Sequence, residues 1–221
     1  IGDAEIKTQE RVIRFFKDPE ILGYQYIGNL SDYQNKNIKE DRLRQYLRLK
    51  GYADKLIDAA VMQLQQEAGN LSRGVYDANK TVYSRLKYGI PVSESPEKPP
   101  VTVELIDEAN PLNNDFAIAE EVTVVEQQEK RPDLVIYLNG IAVAVIELKR
   151  SSISVSEGIR QNLTNQKDSF IRGFFTTMQF CMAGNESEGL RYGTLLTGEK
   201  FYMEWKDDGF KEHEEERDPV D

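Results

Sequence analysis

The chain has 221 residues, of which 28 are Lys or Arg and 38 are Asp or Glu, giving a formal charge of −10. Such a length suits one large domain or a domain with a small appendage, and the acidic balance excludes a global basic field, so any DNA contact must be local or shared with a partner. A lone cysteine, Cys181, excludes a disulfide framework and a cysteine zinc site. A lone histidine, His213, in an acidic run excludes most histidine-based metal and triad chemistry. A cytoplasmic location is the expectation. No apolar stretch approaches the ~20 residues of a membrane helix and the N-terminus lacks the plan of a signal peptide, so no membrane partner is expected. The chain starts at Ile1 and stops in a polar run, which reads as a fragment of something longer.

Residues 1–90 read as helical, with apolar positions at three- and four-residue spacing between glycine stops. Asn37 and Glu40 resemble a capping box, Leu43, Tyr46 and Leu47 supply an apolar face, and Gly51 stands as a C-cap glycine. Ile57, Ala60, Val61, Leu64 and Ala68 predict a second helix ending at Gly69. Val75, Ala78, Val82 and Leu86 predict a third, ending at Gly89. From Ile90 to Pro100 the chain holds four of its eight prolines and reads as a connector.

Beyond it the pattern changes to strands at Val101–Asp107, Phe116–Val125, Leu134–Leu138 and Ile141–Leu148. Asn139-Gly140 favours the positive φ angles of a two-residue hairpin turn between the last two. Ser156–Phe170 predicts a helix with Ile159, Leu163, Gln166 and Phe170 on one stripe. Strand-like Met178–Met182 and Tyr192–Leu196 follow. Glu204–Asp221 carries nine acids and three bases and reads as a solvated exit segment.

The chemistry concentrates in Arg131-Pro132-Asp133 and Glu147-Leu148-Lys149-Arg150. Ile141–Ile146 is wholly apolar, the mark of a strand buried on both faces, yet its end carries a carboxylate and an ammonium two residues apart and therefore on one face. A hairpin centred on Asn139-Gly140 pairs residues whose numbers sum to about 279, which sets Asp133 opposite position 146, beside Glu147. Two converging carboxylates repel unless a cation lies between them, and Mg²⁺ suits an oxygen donor set that leaves water in the shell. Lys149 is then placed either to stabilise charge developing on a phosphorane or to orient and deprotonate the attacking water. The bland alternative is a surface salt pair worth ~0–1 kcal/mol.

Proline-aspartate followed by Glu-x-Lys resembles the nuclease superfamily named for its P-D and (D/E)-x-K motif, and Asp133, Glu147 and Lys149 match that motif residue by residue. The run RPDLVIYLNGIAVAVIELKR resembles the signature of the N-terminal nuclease domain in the restriction subunit of type I restriction-modification enzymes. ELIDEANPLNNDF (Glu104–Phe116), GIRQNLTNQ (Gly158–Gln166) and MAGNESEGLRYGTL (Met182–Leu195) are similar to neighbouring segments of that family. The resemblance covers roughly Val75–Trp205. It implies a mixed central sheet flanked by helices, a metal held by Asp133, Glu147 and the Leu148 carbonyl, and catalysis by Asp133, Glu147 and Lys149. Many members carry Q-x-x-x-Y on the next helix, whereas here Gln161 is followed at the matching place by Asn165. Gln161, Gln166, Arg150 and Arg160 are carried as DNA-binding or supporting residues. Either glutamine can face the cleft. Glu120 and Glu121 are weighed as further metal-site acids, and Lys149, Arg150, Arg160, Lys167 and Arg172 as a basic interval for phosphates.

The expectation is an α/β nuclease with a mixed central sheet and a helical N-terminal appendage, divided as residues 1–74, a nuclease core over 75–203 and an acidic exit at 204–221. The resemblance implies Mg²⁺-dependent cleavage of double-stranded DNA inside a complex with methylase and specificity subunits. No phosphate-loop motif is present, so ATP would act through a motor domain absent from this chain. The rival readings are a non-catalytic docking module with a degenerate nuclease fold and a free-standing repair or homing nuclease.

Overall fold

The computed structural model describes residues 3–206 apart from 94 and 96, with side chains from Ile6 onward. Most of the acidic exit segment, with His213, lies outside the described residues. In chain order the elements are α1 (Asp3–Lys17), β1 (Gln25–Asn29), α2 (Glu40–Leu49), α3 (Asp54–Gly69), α4 (Val75–Tyr88), β2 (Ile90–Val92) and β3 (Val101–Val103). They continue with β4 (Phe116–Glu120), β5 (Val124–Val125), β6 (Glu129–Lys130), β7 (Leu134–Leu138), β8 (Ile141–Leu148), α5 (Val155–Asn165), β9 (Phe180–Asn185), β10 (Gly189–Gly193) and β11 (Met203–Glu204).

A seven-stranded sheet in the order β1-β4-β7-β8-β9-β10-β11 is the frame. It is mixed: β1 runs parallel to β4 and β8 parallel to β9, while the other neighbours are antiparallel. Strand alternation sends Ile118, Leu134, Ile136, Ala144, Ile146 and Met182 to one face, where Ile13 of α1 joins them. Ala117, Ala119, Val135, Val145 and Cys181 point to the other, against Phe174, Phe175 and Val75. The stripes of α2 and α3, with Val82 and Leu86 of α4, pack into a separate core that takes in Ile141. This is the expected α/β class, with every strand of the central hairpin at its predicted boundaries.

The departures have local causes. Asn37 does not cap α2: Lys39 is the N-cap, and the Asn37 amide donates instead to the Gly173 carbonyl and the Thr176 hydroxyl, at 3.1 and 3.0 Å. The chain there runs beside the central hairpin, with Ala142 N–H donating to the Asn37 carbonyl at 2.8 Å, so tertiary partners claim the side chain. The other end of α2 closes as expected, because the Gly51 and Tyr52 amides return to the Arg48 and Leu47 carbonyls. Within the stretch read as helical, β1 is a five-residue, half-exposed edge strand whose sequence QYIGN carries little strand signal. Residues 90–92 of the proline-rich connector pair with β3 as a short ribbon. The stretch from Val101 to Asp107 is strand only to Val103. Beyond it Asn114, Asn139 and Asp107 hydrogen-bond one another and the surrounding backbone.

Asn139-Gly140 forms the expected turn, with φ +51° and +82°. A side chain at Gly140 would lie 2.6 Å from the Lys39 carbonyl. The helix expected over 156–170 ends at Asn165, where Ile171 N–H takes the Asn165 carbonyl and the chain turns into a 3-10 segment at Arg172–Thr177. Strands β9 and β10 are offset from their expected spans: Asn185 turns the chain by accepting the amides of Ser187 and Glu188, which sets where the hairpin closes.

Candidate active site

The site lies at the shared end of β7 and β8. Register gives Leu138↔Ile141 and Tyr137↔Ala142, then Ile136↔Ala144, so Val143 is an extra residue on β8. Past this bulge the paired numbers sum to 280, and continuing one step beyond Leu134↔Ile146 brings Asp133 opposite Glu147 instead of position 146. Alternation puts Asp133, Glu147 and Lys149 on the face that α5 covers. Gly158 permits the approach of that helix: a side chain there would meet Ala183 Cβ at 2.9 Å and Glu147 Cβ at 3.5 Å. One turn later Gln161 donates from Nε2 to Glu147 Oε2 at 2.7 Å.

Glu147 has no solvent exposure. Burial holds its carboxyl well above the usual carboxylate range; the nearby Asp133 charge adds to the effect and the Lys149 ammonium opposes it. Its second oxygen, Oε1, is buried with no hydrogen-bond donor. Asp133 is half-buried, and its Oδ2 accepts the Leu148 amide at 2.7 Å. Lys149 is anchored by its own N–H on the Gly184 carbonyl at 2.9 Å, and its ammonium donates to the Leu148 carbonyl at 3.1 Å.

This donor set fits a small hard cation. It offers a buried carboxylate oxygen without a donor, a facing carboxylate and a peptide carbonyl, in a setting where two like charges otherwise oppose each other. Among the described residues no group of three or more His, Cys, Asp or Glu has the spacing to hold a metal. An ion here would therefore keep water in its shell, the habit of Mg²⁺. Asp133, Glu147 and the Leu148 carbonyl are the residues that would hold it.

Of the supporting residues, Gln161 joins the site and Gln166 does not. Gln166 Oε1 accepts the Leu196 amide at 2.7 Å, and the residue lines a separate cleft of about 560 Å³ with Arg73, Lys167 and Arg172. Asn165 is buried at the end of α5, one turn beyond Gln161. Arg150 is exposed, while the Arg160 guanidinium is engaged by Glu157 and Glu199 and that of Arg172 by Asp168. Burial pushes the Cys181 thiol up to about 12, which leaves it inert. Tyr192 packs edge-on against Phe180 and Trp205. Glu121, buried and paired with Arg131, borders Asp133. Gln9 of α1, which reaches both Glu120 and Glu121, carries no signal in the sequence and was missed.

The chain matches the model of the family described as Type I restriction enzyme R protein N terminus over residues 5–201. It belongs to that family. The match takes in the N-terminal helices as well as the span from Val75 on which the resemblance rested. Among curated proteins, the chain is 29% identical over 112 residues to the type I restriction enzyme SsaAORF53P endonuclease subunit of Staphylococcus saprophyticus, covering 48% of this chain and 12% of that one. It is 27% identical over 111 residues to the SauMSSORF170P endonuclease subunit of Staphylococcus aureus, again 48% and 12%. A protein assigned as the type I restriction enzyme MjaIXP endonuclease subunit of Methanocaldococcus jannaschii is 33% identical over 97 residues, 40% of this chain and 9% of the relative. The matched stretch is thus about a tenth of the length of these relatives.

Proposed function

We propose that this domain is the DNA-cutting part of a type I restriction enzyme, hydrolysing phosphodiester bonds in double-stranded DNA with Mg²⁺ at Asp133, Glu147 and the Leu148 carbonyl. The observation that carries the reading is the Asp133–Glu147 pair, with a buried oxygen that has no donor, inside the signature of a family whose curated relatives are named endonuclease subunits. Bound there, the cation supplies charge neutralisation and a water of lowered pKa. The residues supply the rest. Asp133 and Glu147 would hold the cation at the sheet end. Lys149, held with its ammonium beside the Leu148 carbonyl, neutralises charge that builds on the phosphoryl oxygens as the water adds and the leaving oxygen departs. Gln161 fixes the Glu147 carboxylate through Oε2 and leaves the buried Oε1 without a donor.

In this reading the domain has no sequence recognition of its own. Methylase and specificity subunits select and hold the DNA, and an ATP-driven motor elsewhere in the complex presents it. That division accounts for a net charge of −10 on a DNA-cutting domain. The complex works in the cytoplasm, and no helix of the described chain is long and apolar enough to cross a membrane.

The test is cleavage of a plasmid bearing the recognition site by the assembled enzyme with Glu147→Gln. A loss of several orders of magnitude with assembly intact supports the reading. Wild-type cleavage contradicts it and leaves a docking module.

A further inference from the structure

Glu121, the residue after β4, has φ +51°, a left-handed conformation that is strained for a non-glycine residue. Asparagine or glycine would adopt it more cheaply. The side chain is nonetheless a buried carboxylate, accepting from Gln9 Nε2 at 3.2 Å and paired with Arg131 Nε at 2.8 Å. From the same residue the backbone N–H donates to the Asp133 carbonyl at 2.8 Å, and the next amide, Val122, donates to the Pro132 carbonyl at 3.0 Å. Three links thus run from residues 121–122 to the three successive residues Arg131, Pro132 and Asp133. On its far side Asp133 is held through Oδ2 by the Leu148 amide.

Asp133 must keep its carboxylate opposite Glu147 if both are to engage one cation. Something must hold the turn that carries it. We infer that the Glu121–Arg131 ion pair is a positioning device, which keeps the Asp133 carboxylate opposite Glu147 so that both can engage a divalent cation. Both oxygens of the Glu121 carboxylate are already engaged, by Arg131 and Gln9, which suits it to hold the turn. The inference rests on the reading of Asp133 and Glu147 as the cation site.

Positioning and simple electrostatics differ in sign. Removing a negative charge near the site with Glu121→Gln weakens cation binding on either account. Removing a positive charge with Arg131→Gln tightens it if only charge matters, and weakens it if the pair holds Asp133 in place. Residues acting through one link also give a double variant no worse than the poorer single.

The experiment is titration of the chain with Mn²⁺, followed by electron paramagnetic resonance, for wild type, Glu121→Gln, Arg131→Gln and the double variant, each with a melting curve. The expected result is Mn²⁺ binding weaker by roughly five- to tenfold in each single variant, and within about twofold of the singles in the double. Arg131→Gln binding as tightly as wild type, or tighter, overturns the inference. A wild-type chain that binds no Mn²⁺ removes the cation site and the inference with it, an outcome distinct from equal affinity in all four proteins. Should Glu121→Gln fail to fold, the half-exposed Arg131 still decides by the sign of its effect.

Discussion

Asp133 faces Glu147 because Val143 is bulged out of the strand between them. Without that extra residue the hairpin register would set Asp133 against position 146, and Glu147, the next residue along, would point to the opposite face of the sheet from Asp133. The bulge therefore turns a buried hairpin into a pair of carboxylates sharing one edge of the sheet.

That pairing predicts a metal site that depends on both acids. Calorimetric titration of the chain with Mg²⁺ or Mn²⁺ should give binding heat for wild type and little or none for Asp133→Ala. Equal heats from the two proteins would move the site elsewhere.

The isolated chain should cut DNA poorly. Its charge of −10 gives little electrostatic affinity for a polyanion, and the proposed function leaves presentation of the duplex to other parts of the complex. The measurement is plasmid nicking by the purified chain at ~0.15 M salt. Efficient nicking would favour a nuclease that works alone.

Asp133→Asn should stabilise the metal-free protein. Asparagine retains an oxygen to accept the Leu148 amide but removes the charge that, after burial, most opposes ionisation of Glu147. A rise of ~2–4 °C in Tm, about 1 kcal/mol for a domain of this size, is the expected result without Mg²⁺. A fall in Tm would mean that the carboxylate contributes more to the fold than repulsion costs.

Asp107 predicts the acid limb of stability. A hydrogen bond from the Lys50 ammonium, then those from the Asn113 side chain and the Asn110 amide, lower its carboxyl to about 2. A folded-state value below the unfolded one means that the native state binds fewer protons. This contribution is therefore complete above the ordinary carboxylate range and is lost as pH falls toward 2. Melting curves between pH 5 and 2 should show a steeper loss for wild type than for Asp107→Asn.

Much of this site was legible because its signals are local. The apolar run Ile141–Ile146 ending in Glu147, the Asn139-Gly140 turn and the Pro132-Asp133 step each constrain their own neighbourhood, and together they give the hairpin and its acidic end. The bulge at Val143 was not legible, since a valine among apolar neighbours looks the same paired or unpaired. On a helical projection Gln166 lies within the Ile159, Leu163 and Phe170 stripe and Gln161 away from it, so which one faces the cleft depends on the side the sheet covers, which the sequence does not give. In the structure Gln166, the C-cap of α5, accepts the Leu196 amide, while Gln161 inside the helix donates to Glu147. Glu121 was visible as an acid, but its left-handed backbone and its partner Arg131 are tertiary facts. Asn37 shows the converse error, a sound capping pattern overridden by the Gly173 carbonyl and the Thr176 hydroxyl.

The most direct test of the account concerns Lys149, whose ammonium donates to the Leu148 carbonyl. The measurement is DNA cleavage by the assembled restriction enzyme carrying Lys149→Ala, read beside complex assembly and ATP-driven translocation. The account predicts cleavage lower by several orders of magnitude, with assembly and translocation near wild type. A Lys149→Ala enzyme that assembles and cuts as wild type does would contradict it.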